Sequence, residues 1–253
     1  MAGGGDGVGR RSVAEKLFAI ADAFQGGREL TLAQVTAATG LPRSTAHRLL
    51  AEWVRWGGLT RGDDGIYRVG LRLWRLGVRE SSSRALRSVA RPYLLDLLEA
   101  TGEHVHLAVL DRLGATYLER LSASDAVATI SEVGTELPLH ATGVGNVLLA
   151  FAPVELLAEV LEAGPEKFMP NTLTTERALR ARLAEVRATD LARTTEELTP
   201  GSYSVAAPVR DRGGSVVAAV SIITHVDRRD EPQLVLGVRM TARAISAALG
   251  WRR

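Results

Sequence analysis

The sequence predicts an α+β chain in two parts: a small helical N-terminal domain ending in a hairpin, and a larger domain built on a mixed α/β sheet. Three observations carry this. Two capping boxes and a well-placed proline mark three short helices, with a turn signal after them. The serine run Ser81-Ser82-Ser83 then interrupts the pattern. Beyond it, hairpin-like strand pairs alternate with amphipathic helices, which describes a helix-covered sheet that is not all-parallel.

Met1 to Gly9 is glycine-rich and reads as a flexible tail. Ser12-Val-Ala-Glu15 fits a capping box, and Val13, Leu17, Ile20 and Phe24 recur at helical spacing up to Gly26-Gly27. Thr31-Leu-Ala-Gln34 is a second box, opening a helix with Leu32, Val35 and Ala38 on one face and Gly40 as its stop. Pro42 is expected at the first position of a third helix, where its missing N–H costs nothing. Ala46, Leu49, Leu50, Trp53 and Val54 form the apolar stripe of that helix, and Gly57-Gly58 closes it. Two strand-like pieces flank Asp63-Asp64-Gly65, a hairpin signal. Residues 71–78 read as a helix with Leu71, Trp74 and Val78 on one face.

In the second part, residues 84–100 are helical with Pro92 as a kink or restart. Strands are expected at 104–110, 115–121 and 127–133, and helices at 143–151, 153–163 and 175–189. An apolar hairpin at 203–210 and 215–224 and a terminal helix at 231–249 complete the chain. The expected divisions are a tail at 1–9, an N-terminal domain at 10–70, a linker helix at 71–82 and a C-terminal domain at 83–253.

No apolar run reaches the roughly 18–20 residues of a membrane span, and the first eleven residues have no apolar core of a secretory signal. The chain has no cysteine, which excludes a thiol nucleophile, cysteine-ligated zinc and a disulfide scaffold and suits the cytoplasm. Charge is uneven: residues 1–80 hold 12 Lys+Arg against 8 Asp+Glu, and residues 81–253 hold 19 against 21. The basic end is where a polyanion is expected to bind.

Three short helices, the second and third joined by Gly40-Leu41, and then a hairpin form the layout of a winged helix-turn-helix. With the stripe inward, Ser44, His47 and Arg48 face outward, and Arg43 and Thr45 sit on the exposed first turn. Helix N-termini favour phosphate, hydroxyls and arginines suit backbone contacts, and a positioned arginine reads guanine. Arg61 and Arg68 lie on the hairpin, where a wing reaches the neighbouring groove. A three-helix protein-interaction domain with a solvated basic face is the alternative.

The stretch Leu41-Pro-Arg-Ser-Thr-Ala-His-Arg-Leu-Leu50, with Gly58-Leu-Thr60 and Tyr67-Arg-Val-Gly70 after it, resembles the IclR (isocitrate-lyase regulator) family of bacterial transcription factors. Leu139-His-Ala-Thr-Gly-Val-Gly-Asn-Val-Leu-Leu-Ala150 resembles the family's pocket helix, and Glu197 with Ser204-Val-Ala-Ala-Pro-Val-Arg-Asp211 its C-terminal signature. The likeness runs from Arg10 to Leu249 and departs at Asn146, Asp190, Thr194 and Arg210, in or near the effector region. The resemblance implies a GAF-like effector-binding domain, a small-molecule effector such as an organic acid or aromatic metabolite, and no cofactor. It further implies a regulator, read as a repressor, that binds a pseudo-palindromic double-stranded operator as a homodimer or dimer of dimers. Carried over by motif, the effector pocket falls on Gly143, Val144, Thr194, Ser202, Ser204, Ser221 and Ile223.

Beside the resemblance, Thr142-Gly-Val-Gly145 precedes a helix, and glycines there let a ligand approach backbone amides. Any side chain at Gly143 is then expected to fill the ligand's space, although helix packing or a tight turn explains the glycines as well. Ser202, Ser204, Ser221 and Ile223 alternate along the last hairpin, so hydroxyls can converge on one sheet face, with an ordinary solvated face as the alternative. His104 and His106 share a strand face and offer two metal nitrogens, but the sequence places no third ligand, so no metal is expected. Gly-x-Ser-x-Gly, a phosphate loop and Ser-x-x-Lys are all missing, so no enzyme is expected. A metabolite-binding enzyme, or an adaptor with a helical interaction module, is the alternative.

Overall fold

The computed structural model describes residues 11–77, 81–122 and 132–252 and falls into two compact units, Met1–Glu80 and Ser81–Arg253. The tail at 1–9 and Val78 lie outside the described residues, as does the strand expected at 127–133 except for its last two residues, which belong to no strand.

In the first unit, α1 (Val13–Ala23) and α2 (Leu32–Thr39) start where the capping boxes place them, with Glu15 and Gln34 each accepting the N–H of its cap residue. Gly40 stops α2 in a left-handed conformation, φ +66°. Pro42 differs from the expectation by one position: it is the N-cap of α3 (Arg43–Trp56), with extended ψ of 141°. Strand β1 (Leu59–Arg61) pairs antiparallel with β2 (Tyr67–Val69), and Tyr67 also exchanges hydrogen bonds with Leu30. Ile20, Phe24, Val35, Leu41, Leu49, Leu50, Leu59 and Tyr67 make the core. Gly70 lets the chain leave the hairpin against Gly57, because a Cβ there would stand 2.5 Å from the Gly57 carbonyl oxygen. Helix α4 (Leu71–Gly77) follows and buries nothing: Leu71, Trp74 and Leu76 are 58%, 59% and 62% exposed.

The second unit opens with α5 (Ser81–Thr101), so the serine run marks the division between the units and is also the start of a helix. Pro92 sits inside that helix. The proline cannot donate to the Ser88 carbonyl, and both residues lie on the exposed side of the helix. Among the described residues six strands follow in the order β5-β4-β3-β8-β7-β6, every adjacent pair antiparallel. They are β3 (His104–Asp111), β4 (Gly114–Leu121), β5 (Glu136–Pro138), β6 (Ala192–Thr195), β7 (Ser202–Arg210) and β8 (Val216–His225). Helices α5 and α9 (Pro232–Ala248) cover one face through Leu94, Leu97, Val238 and Ile245. Glu119, buried on that face, takes both Arg87 and Arg91 of α5 at 3.0 Å. Helix α6 (Gly143–Phe151) lies on the other face, with α8 (Glu176–Thr189) packed against it and α7 (Val154–Glu162) completing that layer.

Candidate nucleic-acid interface and ligand pocket

Helix α3 separates its two faces as its spacing dictates. Ala46, Leu49 and Leu50 are buried, while Arg43, Ser44, His47 and Arg48 are exposed and Thr45 is half-buried beside them. The pre-helical Pro42 leaves the first amides of α3 without a side-chain cap, next to two exposed arginines. On the wing, Arg61 is exposed and its guanidinium lies 5.4 Å from the centre of the Tyr67 ring. Arg68, also on the wing, is half-buried and already paired. It holds Asp64 at 2.8 Å and Glu29 at 3.0 Å, tying the turn of the wing to the segment before α2. The Arg68 hydrogen bond in turn holds the Asp64 carboxyl below the usual carboxylate range.

In the second unit the register of three strands lays Thr194, Ser204 and Ile223 side by side on the α6 face. Gly143, the first residue of α6, rests on this row, and the space left between helix and sheet is a cavity of about 30 Å³. That is roughly one water molecule. Gly143, Thr194, Ser202, Ser204 and Ile223 line it, as expected from the sequence, and so do Tyr117, Thr142, Glu197, Leu198 and Thr199. Val144 and Ser221 do not. Val144 turns into the core under α6, and Ser221 pairs with Ala206, one cross-strand row deeper than Ser204. Of the three serines, Ser202 and Ser204 line this cavity and Ser221 lies one row beyond Ser204. Ser202 donates to the Thr199 carbonyl at 2.6 Å. Thr142 donates to the Pro138 carbonyl and accepts from the Gly145 amide, capping α6. Tyr117 bonds to Thr142, and burial pushes its phenol upward.

Glu197 is the one carboxylate of the lining. Its Oε1 accepts from Arg182 at 3.0 Å, and Arg182 also reaches Asn146 Oδ1 at 3.5 Å. Asn146 donates to the carbonyls of Leu139, His140 and Thr142, so it pins the loop that feeds α6. Burial pushes the Glu197 carboxyl up, and Arg182 and the Thr195 amide pull it down. Glu197 stands in the motif that carried the resemblance, but a single acid in a loop has no spacing that would announce a pocket. His104 and His106 stack 6.3 Å apart, and His106 packs edge-on against Tyr117. Burial lowers His106 to about 3. Among the described residues no group of three His, Cys, Asp or Glu is placed to hold a metal.

An exposed cationic helix on a winged helix-turn-helix, carried by the same chain as a sheet domain with a polar pocket, defines a DNA-binding transcriptional regulator. The comparisons agree. Residues 13–63 match the IclR helix-turn-helix domain, and residues 79–247 match the bacterial transcriptional regulator IclR C-terminal domain. The chain belongs to the IclR family of bacterial transcriptional regulators. It is 35% identical over 243 residues to the glycerol operon regulatory protein of Streptomyces coelicolor, covering 93% of this chain and 95% of the relative. It is 32% identical to the transcriptional repressor AllR of Escherichia coli K12, with 88% and 84% covered. An IclR homolog from Microbacterium hydrocarbonoxydans, solved in complex with 4-hydroxybenzoate, superposes with a TM-score of 0.83 at 34% identity, covering 94% of this chain and 99% of that one.

Proposed function

We propose that this chain is a cytoplasmic, non-enzymatic repressor that leaves a pseudo-palindromic operator when a small organic or aromatic acid enters the pocket beneath α6. The observation that carries the reading is α3, where buried Ala46, Leu49 and Leu50 are backed by exposed Arg43, Ser44, His47 and Arg48. Such a helix enters a major groove with its N-terminal residues on the bases and phosphates. Thr45 supports the first turn and Arg61 reaches the flanking backbone. The exposed apolar face of α4 is read as the contact between two copies, which gives two recognition helices and hence two half-sites. The pocket supports an effector role because it joins free polar groups to the start of a helix, and because the Microbacterium homolog of the same fold binds 4-hydroxybenzoate.

Footprinting on the DNA flanking the gene, with and without a panel of small acids, tests the reading. A protected site that is lost with one of the acids is expected. A thermal-shift screen run in parallel finds the ligand, since binding at 100 times Kd adds about 2.7 kcal/mol. Absence of any protected site on that DNA or on random duplexes removes the proposal.

A further inference from the structure

Glu197 is 4% exposed, and its Oε2 is buried without a hydrogen-bond partner although the residue lines the cavity. An unmatched carboxylate oxygen of this kind asks for a donor. The donors seen around it are directed elsewhere in this form. Arg182 is committed to Oε1, Thr172 donates to the Glu197 backbone carbonyl at 2.6 Å, and the hydroxyls of Ser202 and Thr142 donate to main-chain carbonyls. Gly143, which also lines the cavity, brings the reverse character, because it is the first residue of α6 and a helix start favours negative charge. The pocket is polarised: an acceptor at Glu197, donors at the start of α6.

We propose that Glu197 Oε2 receives a hydrogen bond from a hydroxyl on the effector, so that the ligand class is a hydroxylated small acid and not a simple carboxylic acid. The ligand's carboxylate turns toward α6, away from the like charge of Glu197, and its hydroxyl turns toward Glu197. This rests on the reading above that the pocket beneath α6 holds the effector. Glu197→Gln inverts the feature: Arg182 requires an oxygen, so the Gln carbonyl takes the Oε1 position and its NH2 takes the Oε2 position. An acceptor becomes a donor with little change of volume.

Calorimetry on the full chain with matched pairs tests this: 4-hydroxybenzoate against benzoate, glycolate against acetate, lactate against propionate. The hydroxylated member of at least one pair is expected to bind about ten- to a hundredfold more tightly, the worth of one hydrogen bond to a charged group. In Glu197→Gln, checked for folding by circular dichroism, that preference disappears. Ser204→Ala weakens both members of a pair alike. Equal affinities within every pair in the wild type overturn the proposal without recourse to any variant, and so does a preference that survives in Glu197→Gln. Binding that ignores Ser204→Ala, Thr194→Ala and Glu197→Gln together places the ligand elsewhere, and the pocket reading fails with it. No binding by any of the six acids overturns the hydroxy-acid class.

Discussion

Gly143 and Ser204 meet with no room for a methyl group between them: a Cβ at Gly143 would lie 2.7 Å from Ser204 Oγ and 3.3 Å from the Ala206 Cβ. Helix α6 is therefore seated on the sheet through a bare backbone, and the space beside that contact is the pocket. A larger side chain at 143 wedges helix from sheet before it meets any ligand. Gly143→Ala is expected to cost about 1–3 kcal/mol of stability, the range for overpacking. Combining it with Ser204→Ala, which removes the nearest atom, should recover part of that loss. Urea unfolding of the two single variants and the double variant measures the coupling, and strictly additive losses contradict the contact.

The arginines of the first unit divide by what already holds them. Arg43→Ala is expected to weaken binding to every duplex and to lower the salt slope by about one unit if it meets phosphate. Arg48→Ala should relax one position of the operator at about 1–3 kcal/mol. Arg68→Ala should leave the salt slope unchanged, since Asp64 and Glu29 already neutralise that charge. Fluorescence anisotropy across a salt series separates the three.

Trp74 stands on α4 with 59% of its surface exposed between Leu71 and Leu76. Trp74→Glu places a charge on the face read as the contact between copies. Sedimentation at micromolar concentration is expected to show dissociation toward monomer, with weaker DNA binding. An unchanged oligomer would remove α4 from that role.

His106 gives the stability a pH dependence of known sign. Burial lowers its pKa to about 3, while the unfolded chain takes up the proton near the ordinary value of about 6.5. Between those values the unfolded state binds more protons, so stability falls as pH drops from about 6.5 toward 3. The contribution approaches about 1.4 kcal/mol per pH unit for this one proton. His106→Asn should flatten the slope measured by urea unfolding between pH 7 and pH 4.5, and an unaltered slope would assign the acid sensitivity to other groups.

The readable parts of this molecule are those decided within a few residues. The capping boxes at Ser12 and Thr31, the two faces of α3 and the start of α6 all follow from local spacing. The strands that escaped, β5 and β6, are three and four residues long and lie at the two edges of the sheet. Runs that short do not complete an alternating pattern, and only the neighbouring strand makes them strands. The pocket shows the same limit. Ser221 shares a face with Ser204, but the register sets it opposite Ala206, and register is a property of two strands at once. Val144 follows Gly143 by one helical step, about 100° round the axis, which takes it from the pocket into the core.

On the proposed reading, the seating of α6 over its cavity also governs how sensitively this chain answers an effector. If the effector site is the pocket proposed above, the close seating of Gly143 on Ser204 means that an acid of six or more heavy atoms is received by a form in which α6 has shifted on the sheet. The measured affinity is then the intrinsic one scaled by the fraction of molecules open; an open fraction of about 1% raises the half-saturating concentration about a hundredfold. A detector built this way ignores traces and answers to a metabolite that has accumulated. The set point is written in the fit of α6 on the sheet, so a mutation can retune it without altering a single atom that the ligand touches.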